Sequence, residues 1–180
     1  KVLGYRSRAS FKLIELNKKY KFINKYTNLL DLGSSPGGWS QVAREFIMYG
    51  KIMSVDIKEM EPIKNVKFLK GDILQNDVKS EVINYFQFNL DVILSDMAAD
   101  TTGNKSLDSI RTNLLCTDVI YFSKEMLKPK GVLVSKIFMG SSFNEIVADA
   151  KKKFREVNIF KPLSSRKDSK ESFIICKFLR

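Results

Sequence analysis

The sequence predicts an α/β fold built on a mostly parallel sheet. Short apolar runs alternate with helix-period stripes through most of the chain. The alternation breaks only near the end, where two strand-like runs follow one another with no helix between them. A glycine-rich turn directly after the first run places a candidate ligand site at the carboxyl edge of that sheet.

The elements follow in order. A leading helix near 7–20 would bury Leu13, Leu16 and Tyr20 and expose its lysines. TNLLDLG (27–33), KIMSVD (51–56), VKFLKGD (66–72), LDVILSD (90–96) and GVLVSKIF (131–138) read as strands bounded by turn residues. Between them lie amphipathic helices. Trp39, Val42 and Phe46 share one face, as do Leu115, Val119, Phe122 and Met126. Phe143, Ile146, Val147, Ala150 and Phe154 form a further stripe. REVNIFKP (155–162) and SFIICKFL (172–179) read as a closing antiparallel hairpin. Right-handed crossovers then give a seven-stranded Rossmann-like sheet with helices on both faces. Residues 1–180 read as one domain, without repeats, low-complexity stretches or linkers.

Composition excludes several function classes. Hydrophobic residues make up 44% and charged residues 28%, as in ordinary globular proteins. No apolar run reaches the roughly 18 residues of a membrane span. Cys116 and Cys176 match no zinc or disulfide spacing, and sit in apolar contexts suited to a reducing compartment. The opening KVLGYRSRAS is already motif-like and shows no signal-peptide pattern, which predicts an intracellular protein. A start inside a longer gene product fits equally, which leaves cytoplasm, nucleus and mitochondrion open. The chain has no histidine, so histidine triads, histidine metal sites and histidine general bases are all excluded; no metal site is expected. The net charge of +11 is concentrated at the ends, with +7 on residues 1–28, +7 on 151–180 and −3 between them. That distribution suggests a catalytic body flanked by polyanion contacts, although lysine-rich ends also serve solubility.

The glycine turn, DLGSSPGGWS, runs from Asp31 into a helix. Its glycines (Gly33, Gly37, Gly38) let backbone N–H groups approach a ligand that a side chain would block. Asp56, closing the second strand, is placed to accept from ribose hydroxyls, and Asp72, closing the third, to take an adenine amine. NAD would use similar parts, but the spacing is not G-x-G-x-x-G, and Ser35-Pro36 stands where a pyrophosphate needs donors. The terminal hairpin also suits a methyltransferase better than a dehydrogenase.

Three further stretches complete a set: RSRASFKL at the start, SDMAAD after the fourth strand and VSKIF in the fifth. Together with DLGSSPGGWS they closely resemble the FtsJ/RrmJ-like ribose 2′-O-methyltransferases, from Gly4 to Phe178. The resemblance implies a Rossmann-like S-adenosylmethionine-dependent fold and a catalytic tetrad of Lys12, Asp96, Lys136 and Glu171. It also assigns Gly37, Trp39, Asp56, Asp72 and Asp96 to the cofactor, within a turn that includes Gly33, Ser35, Pro36 and Gly38. S-adenosyl-L-homocysteine (SAH) would be the product. The residues themselves agree. Lys136 interrupts an apolar run, and a buried cation needs partners or a task. Lys12 beside it would lower its pKa and Asp96 would raise it, so base and alkoxide-stabilising cation both stay open. One departure is Ala99, where the family has proline; it bears on the shape of loop 99–106, read as mobile and ordering on RNA.

The resemblance implies RNA as the partner, with a uridine of large-subunit rRNA as target and the protein a monomer. Transfer-RNA anticodon-loop and mRNA-cap methylation reuse the same core, and a non-catalytic RNA-binding module is the alternative of another class. Residues 1–26 contribute a basic helix to the RNA face. Arg6 and Arg8 at one end and Arg166 and Lys167 at the other would grip phosphates around an inserted ribose.

Overall fold

The computed structural model describes residues 3–180. Seven strands, β1 (Leu29–Leu32), β2 (Ile52–Asp56), β3 (Lys67–Lys70), β4 (Leu90–Ser95), β5 (Leu127–Phe138), β6 (Phe154–Phe160) and β7 (Glu171–Leu179), form one sheet. Their order is β3-β2-β1-β4-β5-β7-β6. The first five run parallel, and β7 is antiparallel to both β5 and β6. The chain reverses its winding between β1 and β4, the place where open α/β sheets bind ligands.

Alternation along the strands divides the core between two faces. Leu29, Ile52, Val92, Val134 and Phe173 point to the face covered by α1 (Ala9–Tyr20) and α2 (Gly38–Phe46). Leu30, Met53, Ile93, Leu133 and Ile174 point to the face covered by α3 (Asn76–Phe86), α4 (Lys105–Met126) and α5 (Phe143–Lys153). Leu13 and Leu16 anchor α1 with no exposed surface. Each such side chain contributes about 1.5–3 kcal/mol, and that burial holds Lys12 over the sheet.

The observed elements match the sequence reading in type and order, with local differences. Phe46 is 40% exposed. α2 ends there, and its inward stripe drifts to Ala43 and Ile47, which are buried instead. Tyr20 is half-buried, edge-on to Phe160 at 5.9 Å. Leu115 is also half-buried, because it lines a cleft. β5 starts at Leu127, directly after α4, rather than at Gly131. Both cysteines are buried and free, and burial raises their thiol pKa values.

Candidate active site

Four charged groups predicted from distant stretches meet at the carboxyl edge of the sheet. Lys136 and Glu171 come from the paired strands β5 and β7, on the face that α1 covers. Glu171 lies opposite Phe138, one diagonal step from Lys136. Its Oε2 is 3.7 Å from Lys136 Nζ, and its Oε1 accepts from Lys12 Nζ at 2.6 Å. Lys136 Nζ also lies 3.0 Å from Asp96 Oδ1 and donates to the Asp96 carbonyl at 3.3 Å. Asp96 stands just past the end of β4, where its N–H donates to Leu32 O. The result is an alternating chain of charge, Lys12–Glu171–Lys136–Asp96, with each cation beside a carboxylate.

The electrostatics decide the resting state of Lys136. Burial pulls its pKa down, but the charges and hydrogen bonds of Asp96 and Glu171 outweigh that, and the net shift is upward. Lys136 is therefore an ammonium at neutral pH. Asp96 is shifted upward by its own burial, against the opposing pull of Lys136.

Beside this chain lie two adjoining hollows that share Gly33, Ser35 and Asp96 as lining. The larger, of about 360 Å³, is lined by Asp56, Asp72, Ile73, Met97 and Leu115 among others. The smaller, of about 150 Å³, is lined by Asp31, Pro36, Gly38 and Trp39. Asp56 uses one oxygen on the Ser35 N–H and the other on the Lys58 N–H, which fixes its carboxylate at the cleft wall. Asp72 lies two residues beyond β3 and caps the Leu74 N–H.

The glycines have separate reasons. Gly33 and Gly37 have φ of 72° and 115°, the left-handed region that disfavours side chains. Gly38 does not, but a Cβ there would overlap Ser7 Oγ and come within 2.6 Å of Ser10 Oγ. Its role is to let the α1 segment lie against the start of α2. Trp39 closes the same junction. Its indole N–H donates to Ala9 O at 2.8 Å, and its ring packs on Phe173 at 5.5 Å.

The basic residues separate into two groups. Arg8, Arg166 and Lys167 are exposed around the edge that holds the tetrad. Arg6 is not available in the same way: its guanidinium donates to the carbonyls of Pro36, Glu61 and Pro62. It fastens the glycine turn to the loop after β2, a bracing role that the sequence reading, which placed it among the phosphate contacts, did not include. Loop 99–106 is also better fixed than expected. Thr102 donates twice to Asp108, Asn104 caps α4 through the Leu107 N–H, and Ala99 N–H donates to Thr112. Polar side chains at a helix start have built a cap there.

Two residues of the site had no role in the sequence reading. Asp31 lies mid-strand in β1 and is fully buried. Ser40 donates to its Oδ2 at 2.6 Å, while the buried Oδ1 has no partner among the described residues, and Asp31 lines the smaller hollow. Burial, with smaller contributions from Asp96 and Asp56, raises its pKa to about 7 against the Ser40 bond. An acid inside the apolar run LLDL was the available signal. Glu15, one helical turn after Lys12, accepts from the Leu163 and Ser164 N–H groups and ties the Arg166–Lys167 loop to α1. No local pattern announces that contact, which spans 148 residues.

Comparison with known proteins agrees with this geometry. A family model described as FtsJ-like methyltransferase matches residues 5–179. The ribosomal RNA large subunit methyltransferase E of Pelagibacter ubique is 50% identical over 177 residues, covering 98% of this chain and 87% of that protein. The protein of the same name from Rickettsia felis is 41% identical, covering 96% and 78%. A crystal structure of a candidate ribosomal RNA methyltransferase from Plasmodium falciparum superposes with a TM-score of 0.85 at 33% identity, covering 97% of this chain and 98% of that one. Human Methyltransferase-like protein 13, solved with SAH, shares the fold at a TM-score of 0.66 and 14% identity, covering 95% and 80%. With its motifs in order and its family matched along nearly its whole length, the chain belongs to the FtsJ-like methyltransferase family.

Proposed function

We propose that this protein transfers a methyl group from S-adenosylmethionine to a ribose 2′-hydroxyl of RNA, with a uridine of large-subunit ribosomal RNA as the target. The observation that carries the reading is the Lys12–Glu171–Lys136–Asp96 chain, which meets the cleft at Asp96. The relatives named as ribosomal RNA large subunit methyltransferase E support the substrate class.

The residues present fit the cofactor. The larger hollow is of ordinary ligand-site size and offers Asp56 and Asp72, two carboxylates suited to ribose hydroxyls and an adenine amine. The smaller one is lined by Asp31, whose buried Oδ1 has no partner among the described residues, a fit for the ammonium of an amino acid moiety. When bound, S-adenosylmethionine supplies an electrophilic methyl on a sulfonium. Asp96, which lines both hollows and holds Lys136, links cofactor site and tetrad.

The protein's own task is to align the hydroxyl and stabilise the charge that grows on it. Methyl transfer is an in-line displacement, so alignment alone supplies much of the acceleration. Lys136 is held as an ammonium by two carboxylates, one of them the cleft-lining Asp96, and would stabilise a developing alkoxide. Lys12 and Glu171 bind and orient the ribose. The hydroxyl proton leaves to Glu171 or to water. Arg8, Arg166 and Lys167 would grip flanking phosphates. Mapping of 2′-O-methylated positions in total RNA, with and without the enzyme, tests the reading. A new modified ribose in large-subunit RNA supports it; a modified tRNA or cap nucleotide would reassign the substrate, and no new position would overturn it.

A further inference from the structure

The edge of the sheet opposite the tetrad carries an unexpected surface. Three loops precede parallel strands there: 24–28 before β1, 47–51 before β2 and 87–89 before β4. Asn28 joins all three. Its N–H donates to Asp91, its Nδ2 donates to Asn89 O, and its Oδ1 accepts from the Lys51 N–H. Gly50 packs so closely on Thr27 that a side chain there would overlap its carbonyl, and the Met48 and Tyr49 N–H groups both donate to Lys25 O. The loops therefore form a fixed platform.

This platform displays side chains that a folding core would hide. Tyr26 and Tyr49 stack on one another at 5.3 Å and 26°, yet are 62% and 66% exposed. Met48 and Phe88 are also exposed on these loops. Around them stand exposed lysines: Lys25 is 5.2 Å from the Tyr26 ring, and Lys51 and Lys67 lie 5.2 and 5.0 Å from the Tyr85 ring. None of the three lysines makes an ion pair among the described residues. Asp91, the acid built into the platform, is already paired with Lys128 at 3.0 Å.

We propose that this amino-edge platform is a second RNA-binding site, which stacks unpaired bases on Tyr26 and Tyr49 and holds their phosphates with Lys25, Lys51 and Lys67. Rigid exposed aromatics interleaved with unpaired cations match the chemistry of single-stranded nucleic acid, because every base offers a π-face and every linkage a negative charge. A partner protein would have to supply acids of its own for these lysines, since this surface offers them none. The inference rests on the RNA reading above and extends it: the catalytic edge holds the target ribose while this edge holds a distant strand of the same large substrate.

The test is fluorescence anisotropy with a labelled single-stranded RNA of about 16 nucleotides, titrated at several salt concentrations. Tyr26→Ala/Tyr49→Ala should weaken binding about tenfold, the low end for losing one or two stacked bases, while Tyr26→Phe/Tyr49→Phe binds like wild type. Lys25→Gln/Lys67→Gln should flatten the salt dependence by about 0.7 per lysine in log–log slope. Both lysines are exposed, so this pair decides the matter even if the alanine pair lowers the melting temperature. Wild-type affinity and slope in these variants would overturn the platform. So would a change confined to self-association in sedimentation, which would make the surface a protein interface. Wild-type protein that binds and methylates RNA alongside indifferent variants removes only the platform; wild-type protein that does neither removes the functional reading itself.

Discussion

Lys12 and Glu171 stand 159 residues apart in the chain, yet their charged ends meet at 2.6 Å. The contact joins the first helix to the last strand, and it is made over the same carboxyl edge where β4 delivers Asp96 and β5 delivers Lys136. Glu171 is therefore held between two lysines, and the two basic ends of the chain are drawn to one site.

Asp31 should trade stability for binding. Its folded pKa of about 7 lies above the ordinary 3.8, so between those values the folded state holds more protons than the unfolded one. Its contribution to stability is thus lost as pH rises through that window, by a few kcal/mol in full. Asp31→Asn should remove the slope and melt at least about 3 °C higher than wild type at pH 8. The same variant should bind S-adenosylmethionine about tenfold more weakly by calorimetry, since a charge-assisted hydrogen bond is gone.

Arg6 and Arg8 should separate cleanly. Arg6→Ala frees the carbonyls of Pro36, Glu61 and Pro62, so cofactor affinity should fall about fivefold, from loss of hydrogen bonds made by a charged group. Arg8→Glu, on an exposed side chain, should weaken RNA binding and reduce its salt dependence with cofactor affinity unchanged. Calorimetry with cofactor and anisotropy with RNA distinguish the two.

Gly38→Ala should act through α1. The added methyl meets the hydroxyls of Ser7 and Ser10, which must rotate away or carry the start of α1 with them. Such overpacking costs about 1–3 kcal/mol. Because Lys12 rides on that helix, turnover should drop by more than cofactor affinity does, measured as kcat against Kd.

The pH profile distinguishes cation from base. Lys136 is held protonated by Asp96 and Glu171, so an ammonium role predicts a rate that is flat from pH 7 to about 9 and falls as pH passes its raised pKa. A neutral-lysine base predicts about a tenfold rise per pH unit across the same range. Glu171→Gln removes one of the charges that raise the pKa, and should bring the alkaline fall to lower pH.

The fold was legible because the helical period survives where an element packs on one face, as in the stripe of α4, and because strands buried on both faces leave short apolar runs, as in β4. The tetrad was legible through resemblance and through Lys136, a cation placed inside an apolar strand. What stayed hidden depends on tertiary contact. Arg6 reads as a surface cation until its carbonyl acceptors, 30 to 56 residues away, are seen. Phe46 reads as core because the stripe does not show where α2 stops. Loop 99–106 reads as mobile because the hydrogen bonds that Thr102 donates and that Asn104 and Thr112 accept leave no periodic trace. Tyr26 and Tyr49 belong to no motif or stripe in the sequence, and only the fold shows them together and exposed.

The most direct test of the account is nucleoside analysis of large-subunit RNA after reaction with methyl-labelled S-adenosylmethionine, for wild type and Lys136→Ala. The account predicts label in a 2′-O-methylated nucleoside with wild type. With Lys136→Ala it predicts a rate at least about 100-fold lower at unchanged cofactor affinity. Label on a base, or near-normal turnover in Lys136→Ala, would contradict it.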